Sequence, residues 1–213
     1  MNINVLQLAP LEVNCVLLND DSKNLIIIDP GGGYDKIVRF IDDGRFILRM
    51  ILFTHGHFDH ISAAYDLNAK YNAPVYVHKS DNNLLQNRPA FLRYLNFPDF
   101  LSPKADNYLE DNQEIVSGDI RIKVLHTPGH TMGSVCFYPS GLNTVFTGDT
   151  LFREGIGRTD FPESDQHAIL NSIKIKLYTL SDNTVVYPGH GSLTDIGYEK
   201  KHNPYIRGGI NAK

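Results

Sequence analysis

The sequence predicts an α+β fold in which two β-sheets pack against each other and helices cover their outer faces. Three observations indicate this fold. Short apolar runs rich in β-branched residues recur along the chain, helix-like segments lie at intervals between them, and several neighbouring runs are too close for an intervening helix. Closely connected strands pair antiparallel, so much of the sheet structure is expected to be antiparallel. Two packed sheets with outer helices are the simplest layered arrangement that buries these segments.

The strands are predicted from runs of β-branched and aromatic residues that are bounded by turn-forming residues. In chain order these runs are VNCVLLN (13–19), NLIIID (24–29), MILFT (50–54), PVYVH (74–78), IRIKVLH (120–126), SVCFY (134–138), NTVFT (143–147) and NTVVYP (183–188).

Two segments place apolar residues at helical spacing and are predicted as helices. The first covers residues 60–71. The second begins at Ser164, a residue type favoured at the N-cap, which follows Pro162. The residues expected to face the core are Ile61, Ala64, Leu67 and Tyr71 in the first helix, and Ile169, Ile173, Leu177 and Leu180 in the second.

Composition indicates a soluble globular protein, which we expect to form one domain over residues 1–213. The chain is 42% hydrophobic and 21% charged, with a net charge of −4 and no Lys/Arg run, so neither nucleic acid nor an anionic membrane is an expected partner. We find no signal peptide and no run long enough to span a bilayer. Cys15 and Cys136 lack ligand spacing and are expected to be small buried residues, which makes the cytoplasm the default location. The sequence leaves the oligomeric state open.

Four predicted strands are each followed by a glycine-rich turn that carries histidine or aspartate. The turns read THGHFDH, HTPGHTMG, GDT and PGHG. Their five imidazoles and two carboxylates exceed what one four-coordinate zinc needs, and they suit two metals that share a bridging carboxylate. The candidate ligands are His55, His57, Asp59, His60, His130, Asp149 and His190. The other histidines, predicted to be surface or core residues, are His78, His126, His167 and His202.

THGHFDH matches the H-x-H-x-D-H signature of the metallo-β-lactamase superfamily, and TPGHTMGS, FTGDTLF and YPGHG match its later ligand motifs in order. The resemblance runs from IIIDPGG to HNPYI and implies a four-layer αββα sandwich of two mixed sheets. It also implies a bridging role for Asp149 and a supporting role near the site for Asp29, which could otherwise be a turn residue before Pro30. By position the first metal would be bound by His55, His57 and His130, and the second by Asp59, His60 and His190.

The segment GIGRTDFP and the C-terminal PGHGSLTDIGYEKKHNPYI resemble the short glyoxalase II-like hydrolases, although related persulfide dioxygenases also carry GRTDF. Asp149 stands where the ordinary lactamase branch usually offers a cysteine ligand, which disfavours a β-lactam substrate. Arg158 matches the basic residue that touches glutathione in glyoxalase II, but Asp160 and Ser192 replace two of its tyrosines, and we expect no C-terminal helical domain. Arg158 is therefore expected either to orient an anionic substrate group or to brace its own loop through Asp160.

The resemblance implies a hydrolase with two zinc ions per chain, iron or manganese being alternatives. The expected substrate is a small acyl thioester, attacked by a metal-bridging hydroxide, with Asp59 and Asp149 contributing to catalysis. A thiolate leaving group with a pKa of about 8.5 needs no dedicated acid, which favours thioesters over amides. The alternatives are a mononuclear iron persulfide dioxygenase, and a lactonase or phosphodiesterase. The dioxygenase would use His55, His130 and Asp149.

One aromatic-rich segment, residues 87–103, has two interpretations. It is either a wall or lid of the substrate pocket, or a helix and loop that pack on the sandwich. Its aromatic residues are Phe91, Tyr94, Phe97 and Phe100.

Overall fold

The computed structural model describes residues 1–86 and 97–207. The strands are β1 (Asn2–Leu8), β2 (Val13–Asn19), β3 (Asn24–Ile28), β4 (Ile47–Leu52), β5 (Val75–His78), β6 (Asn107–Leu109), β7 (Glu114–Ser117), β8 (Ile120–His126), β9 (Val135–Pro139), β10 (Thr144–Gly148), β11 (Leu151–Phe152), β12 (Gly155–Ile156), β13 (Val185–Pro188) and β14 (Thr194–Asp195). The helices are α1 (Tyr34–Gly44), α2 (Phe58–Ile61), α3 (Ala64–Tyr71), α4 (Asn82–Gln86), α5 (Gln166–Ser172), α6 (Ile196–His202) and α7 (Pro204–Arg207).

Two six-stranded mixed sheets form the centre of the fold. The first has the order β1-β2-β3-β4-β5-β6 and is antiparallel as far as β3 and parallel from there. The second has the order β14-β13-β10-β9-β8-β7, and only its β10–β13 pair is parallel. A two-stranded hairpin, β11–β12, forms a separate small sheet, and its Leu151 packs in the same buried cluster as Val145 and Val186 of the second sheet.

Three apolar layers hold the sheets and helices together, because alternate strand residues face opposite sides of each sheet. Val16 and Ile26 of the first sheet belong to the same buried cluster as Phe137 of the second, so this cluster fills the space between the sheets. The alternate residues of the first sheet pack against α1 and α3. Those of the second sheet, including Cys136, pack against α5 and the turn of π-helix that follows it, and against Ile196 of α6. The predicted four-layer αββα sandwich is confirmed.

All eight predicted strands are present, and both helix predictions need correction at their boundaries. The segment 60–71 is not one helix but α2 and α3, because the hydroxyl of Ser62 donates to the Gly31 carbonyl (2.6 Å) and the N–H of Ala63 to the Pro30 carbonyl (2.9 Å). These tertiary bonds interrupt the run of helical hydrogen bonds.

The second predicted helix begins one residue later than expected. Asp165, not Ser164, caps α5, with its carboxylate accepting the N–H of Ala168 (2.9 Å). Ser164 instead donates its hydroxyl to the backbone carbonyl of His130 (2.7 Å), which removes it from the capping role. The predicted inner face is right, since Ile169 is among the residues buried there.

Both cysteines are buried and unpaired, as the sequence predicts. Within the described residues, none of the helices combines the length and the apolar character that crossing a membrane requires.

Candidate metal centre

The first ligand-bearing turn follows β4 and leads directly into α2. His57 is the N-cap of α2 and has extended backbone angles (φ −70°, ψ 147°). Since α2 begins one residue later, Asp59 and His60 lie in its single turn while His55 and His57 precede it. The other candidate ligands, His130, Asp149 and His190, follow β8, β10 and β13 of the second sheet. The structure therefore brings loops from both sheets to one edge of the sandwich.

Three histidines meet in what we call the three-histidine group: His55, His57 and His130. Nδ1 of His57 lies 3.1 Å from Nε2 of His55 and 3.0 Å from Nε2 of His130. Three nitrogens at these separations can bind one metal ion from the same side.

The second set, which we call the aspartate–histidine group, contains Asp59, His60 and His190. Nε2 of His190 lies 3.2 Å from Nε2 of His60 and 3.2 Å from Oδ2 of Asp59. Oδ2 of Asp59 is 3.8 Å from Nε2 of His60. This is again a compact set of three ligand atoms, here with one carboxylate.

Asp149 lies between the two groups with one oxygen toward each. Its Oδ2 is 3.6 Å from Nε2 of His130, and its Oδ1 is 3.5 Å from Nε2 of His60. Among the described residues, the buried Oδ1 has no hydrogen-bond partner. Gly189 permits this approach, because a Cβ atom there would lie 2.3 Å from Oδ1. A buried carboxylate oxygen that faces imidazole nitrogens and lacks a donor fits a metal ligand, so the residues present fit a pair of bound metals.

Every histidine of the two groups has its outer ring nitrogen bound by the protein, so that its other nitrogen faces the group. This arrangement fixes the tautomer and orientation of a metal-binding imidazole. The contacts are His55 Nδ1 to the Thr54 hydroxyl (3.1 Å), His57 Nε2 to Glu163 Oε1 (3.1 Å), His60 Nδ1 to Asp29 Oδ2 (2.9 Å), His130 Nδ1 to the Arg158 carbonyl (2.9 Å) and His190 Nδ1 to the Leu11 carbonyl (2.9 Å).

Asp29 supports both groups. Besides binding His60, its carboxylate accepts the N–H (2.8 Å) and the hydroxyl (2.6 Å) of Thr54. Because the Thr54 hydroxyl hydrogen is used in this way, its oxygen accepts the N–H of His55. Asp29 has a left-handed backbone (φ 53°), an uncommon conformation that aims its carboxylate at the site. The predicted position of Asp29 beside the ligands agrees with this geometry.

Burial and neighbouring charge shift the pKa values of His55 and His130 downward. Burial, reinforced by the surrounding imidazoles, holds the pKa of His55 well below its ordinary value. Burial also lowers the pKa of His130, even though Asp149 opposes it. Both side chains therefore favour the neutral form, which is the form that binds a metal.

Carboxylates dominate the electrostatics of the aspartate–histidine group. Burial opposes charge on His60, but Asp149, Asp29 and Asp59 outweigh it and raise the pKa of His60 to about 10. In the same way, despite burial, His60 and His190 hold the pKa of Asp59 well below its usual range. This part of the site stabilises positive charge, as a cation-binding pocket must.

Sequence reasoning missed three residues that support the site: Thr54, Glu163 and Asn14. Asn14 lies on β2, and its side-chain amide donates to the carbonyls of Pro188 (3.0 Å) and Gly191 (3.0 Å), which holds the turn that carries His190. Thr54 is adjacent to a ligand motif, but Asn14 and Glu163 are far from the ligands they support, and no local pattern marks them. The four remaining histidines lie outside both groups.

A cavity of about 440 Å³ opens onto the two groups, and most of its wall is apolar. Arg158 lines it, but its guanidinium binds Asp160 through two hydrogen bonds (2.9 and 2.7 Å) and packs on the ring of Phe161 (4.4 Å). The contact with Asp160 and the position on the cavity wall are both present, and the two predicted roles of Arg158 stay predictions. The cavity's apolar residues are Leu11, Phe58, Leu84, Phe152, Ile156 and Phe161.

Part of the aromatic segment can be placed. Phe97 is buried and its ring meets that of Phe58 edge-on, with centroids 4.9 Å apart, so it backs the cavity wall. Phe100 packs against the core beside the first sheet. Phe91 and Tyr94 lie outside the described residues.

Comparisons with known proteins agree with this architecture. A family model described as the metallo-beta-lactamase superfamily matches residues 8–190. The hydroxyacylglutathione hydrolase GloC of Haemophilus influenzae is 36% identical over 208 residues, which cover 97% of this chain and 98% of that protein.

Two solved structures are also similar over nearly their whole length. The crystal structure of BLEG-1 B3 metallo-beta-lactamase is 35% identical with a TM-score of 0.89, covering 96% of this chain and 99% of that one. The crystal structure of TTHA1623 in a di-iron-bound form is 34% identical with a TM-score of 0.84, covering 95% and 99%. With the fold, the ligand geometry and the family match in agreement, the chain belongs to the metallo-β-lactamase superfamily.

Proposed function

We propose that this metallo-hydrolase is dinuclear and cleaves small acyl thioesters, as a glyoxalase II-like enzyme. The observation that carries the proposal is the position of Asp149. Its two carboxylate oxygens face two separate groups of ligand atoms. The similarity to the hydroxyacylglutathione hydrolase of Haemophilus influenzae supports the substrate class.

The two groups would hold one metal each, and Asp149 would contact both. Bound divalent metals lower the pKa of water to near neutrality and stabilise negative charge that develops on oxygen or sulfur. The chain's own residues orient the reactants. The imidazoles are fixed by their outer hydrogen bonds, and the apolar wall that includes Phe58 and Phe161 excludes water from the acyl group.

A thioester needs less from the protein than an amide. Its thiolate leaving group has a pKa of about 8.5, so it can depart without a proton from a side chain. Apart from the candidate ligands Asp59 and Asp149, the acid of the cavity wall within the described residues is Glu163, and its carboxylate is engaged by His57. Glu163 therefore supports a ligand and is not proposed as a general acid.

Arg158 is proposed to orient an anionic group of the substrate, in competition with its partner Asp160. If so, Arg158→Ala raises KM with kcat and thermal stability retained. If Arg158 only braces its loop, the same variant lowers the melting temperature with KM unchanged. A variant that changes in neither respect removes Arg158 from the site.

The proposal also covers the metal, the partners and the cellular location. Zinc is proposed as the metal, with iron or manganese as alternatives, and iron gains weight from the di-iron form of a 34% identical structure. The substrate is proposed to be a small molecule, without a nucleic-acid or membrane partner, and the enzyme to act in the cytoplasm.

The deciding experiment loads purified protein with zinc, iron or manganese and measures thiol release from S-lactoyl-glutathione and from an N-acetylcysteamine thioester. The expected result is thiol release that persists under argon and disappears in His55→Ala. Oxygen uptake with a persulfide by the iron form, without thioester turnover by any form, would establish the dioxygenase instead. A lactone, a phosphodiester and a cephalosporin complete the panel, the last because a B3 metallo-beta-lactamase structure is 35% identical.

A further inference from the structure

Asp81 is a buried carboxylate that the proposed chemistry does not use. It ends a short turn of 3-10 helix, Lys79–Asp81, which follows β5 of the first sheet, and its residue surface is 1% exposed. A buried carboxylate needs several donors to offset its loss of hydration. The identity of those donors is informative.

All three donors to Asp81 come from the two loops that carry the three-histidine group. Its Oδ2 accepts the N–H of Gly56 (2.9 Å), the residue between His55 and His57. The same oxygen accepts the hydroxyl of Thr131 (2.7 Å), the residue after His130.

The other oxygen, Oδ1, accepts the N–H of Gly133 (2.7 Å). Glycine is required there by space, since a Cβ atom on Gly133 would lie 2.4 Å from Oδ1 of Asp81. Thr131 is itself held, because its N–H donates to the hydroxyl oxygen of Ser134 (3.1 Å). The carboxylate and the second loop are thus fitted closely to each other.

The three-histidine group takes two ligands from a loop of the first sheet and one from a loop of the second. The 3.0 Å separation between His57 Nδ1 and His130 Nε2 therefore depends on how these two loops sit relative to each other. Asp81 is bound to both loops at positions adjacent in sequence to all three ligands.

We propose that Asp81 is a positioning residue that joins the two ligand loops and thereby sets the metal affinity of the three-histidine group. This inference rests on the proposed binding of metal by that group. It adds a residue whose hydrogen bonds described above do not involve a ligand side chain and which is joined to the ligand loops through two backbone N–H groups and the Thr131 hydroxyl.

The test is Asp81→Asn, which keeps the shape of the side chain but replaces one acceptor oxygen with an amide donor. At least one of the three donors then loses its acceptor. The measurement is made in an Asp59→Ala background, so that the metal measured is the one bound by the three-histidine group. Zinc affinity, obtained by competition with a chromogenic chelator, should fall about 10- to 100-fold.

The matched control is Asp20→Asn in the same background. Asp20 is also 1% exposed and also accepts three hydrogen bonds, from Asn24 N (2.9 Å), Asn24 Nδ2 (2.7 Å) and Asp119 N (3.1 Å). It follows the far end of β2, away from the ligand loops. The control should lose thermal stability and keep its zinc affinity. Equal zinc affinities in the two variants would overturn the proposal.

A second pair of variants decides the matter if Asp81→Asn does not fold. Thr131→Val removes the hydroxyl that donates to Asp81, and Thr131→Ser keeps it. The valine variant should bind zinc more weakly than the serine variant, and equal affinities would refute the proposal. If the Asp59→Ala protein and the unsubstituted chain both fail to bind zinc, iron and manganese, the proposed function fails and this inference fails with it. If zinc binds equally in all variants, only this inference fails.

Discussion

The two ligand groups differ in composition and in what supports them. The three-histidine group contains imidazoles alone, and its outer contacts include the carboxylate of Glu163, whose side chain is 30% exposed. The aspartate–histidine group contains its own carboxylate, Asp59, and its His60 is backed by Asp29, whose side chain is 3% exposed. The carboxylate behind His57 is thus partly exposed to solvent, whereas the carboxylate behind His60 is buried.

This difference predicts how strongly the imidazoles of each group are held in their metal-binding orientation. A hydrogen bond between an imidazole and a buried carboxylate is strong because water competes little for it, whereas an exposed pair is screened. Asp29 also reaches His55 through Thr54, so loss of Asp29 should be felt in both groups. Loss of Glu163 should be confined to one. The following predictions test this ordering, from the largest expected effect to the smallest.

Asp149→Ala should have the largest effect, because the two carboxylate oxygens of Asp149 face one group each. We expect metal content to fall in both and activity to fall by more than about 100-fold, beyond the range of substitutions behind the ligands. Elemental analysis and thioester turnover measure the two effects. A variant that keeps two equivalents of metal and full turnover would remove the bridging assignment.

Asp59→Ala should separate the two groups. Without this carboxylate the second metal would keep only His60, His190 and the shared Asp149, so the variant should retain one equivalent of metal through gel filtration where the unsubstituted chain retains two. Elemental analysis after gel filtration gives the stoichiometry. Two equivalents in the variant, or one in the unsubstituted chain, would contradict the two-group description.

Asp29→Asn should weaken metal binding by the aspartate–histidine group about 10- to 100-fold, because it removes the charge behind His60. A smaller loss is expected in the three-histidine group, transmitted through Thr54. Stepwise titration with cobalt, followed by absorbance, resolves the two events. If only the three-histidine group were weakened, the proposed difference in support would be reversed.

Glu163→Gln should weaken the three-histidine group alone, by about tenfold or less, at the low end for residues behind a metal ligand. The amide can still accept the N–H of His57, and the partner it replaces is partly exposed. The same cobalt titration applies. If Glu163→Gln weakened metal binding as much as Asp29→Asn, the solvent exposure of a supporting carboxylate would not determine its contribution to metal binding at this site.

Asp20→Asn serves as the control for metal binding, since Asp20 supports neither ligand group. Burial opposes its ionisation, but hydrogen bonds from Asn24 and Asp119 outweigh it and hold the pKa of Asp20 below its ordinary value. Its stabilising contribution is therefore present above its unfolded pKa of about 3.9 and is lost as the pH falls through the lower folded value. We expect a loss of about 1–3 kcal/mol at pH 7 that shrinks below about pH 4, measured by urea unfolding. A constant difference across this range would contradict the pKa shift.

The sequence by itself determined the αββα layers and the identity and order of the candidate ligands. The short, nearly continuous apolar runs of β2 and β3 indicate strands that are buried on both faces, and this pattern depends on neighbours within a few residues. The turn THGHFDH likewise places its ligands through local geometry, two before α2 and two within it. Patterns that span only a few neighbouring residues can be identified in a single sequence.

Only the tertiary structure decided which residues support those ligands. Glu163 lies 106 positions from His57, and Asn14 lies 174 positions from the Pro188 carbonyl that it binds. The same is true of Asp81, whose donors come from two loops on different sheets. The break between α2 and α3 also depends on distant carbonyls. A hydrogen-bond partner is selected by proximity in space, and proximity between distant segments exists only once both sheets have packed.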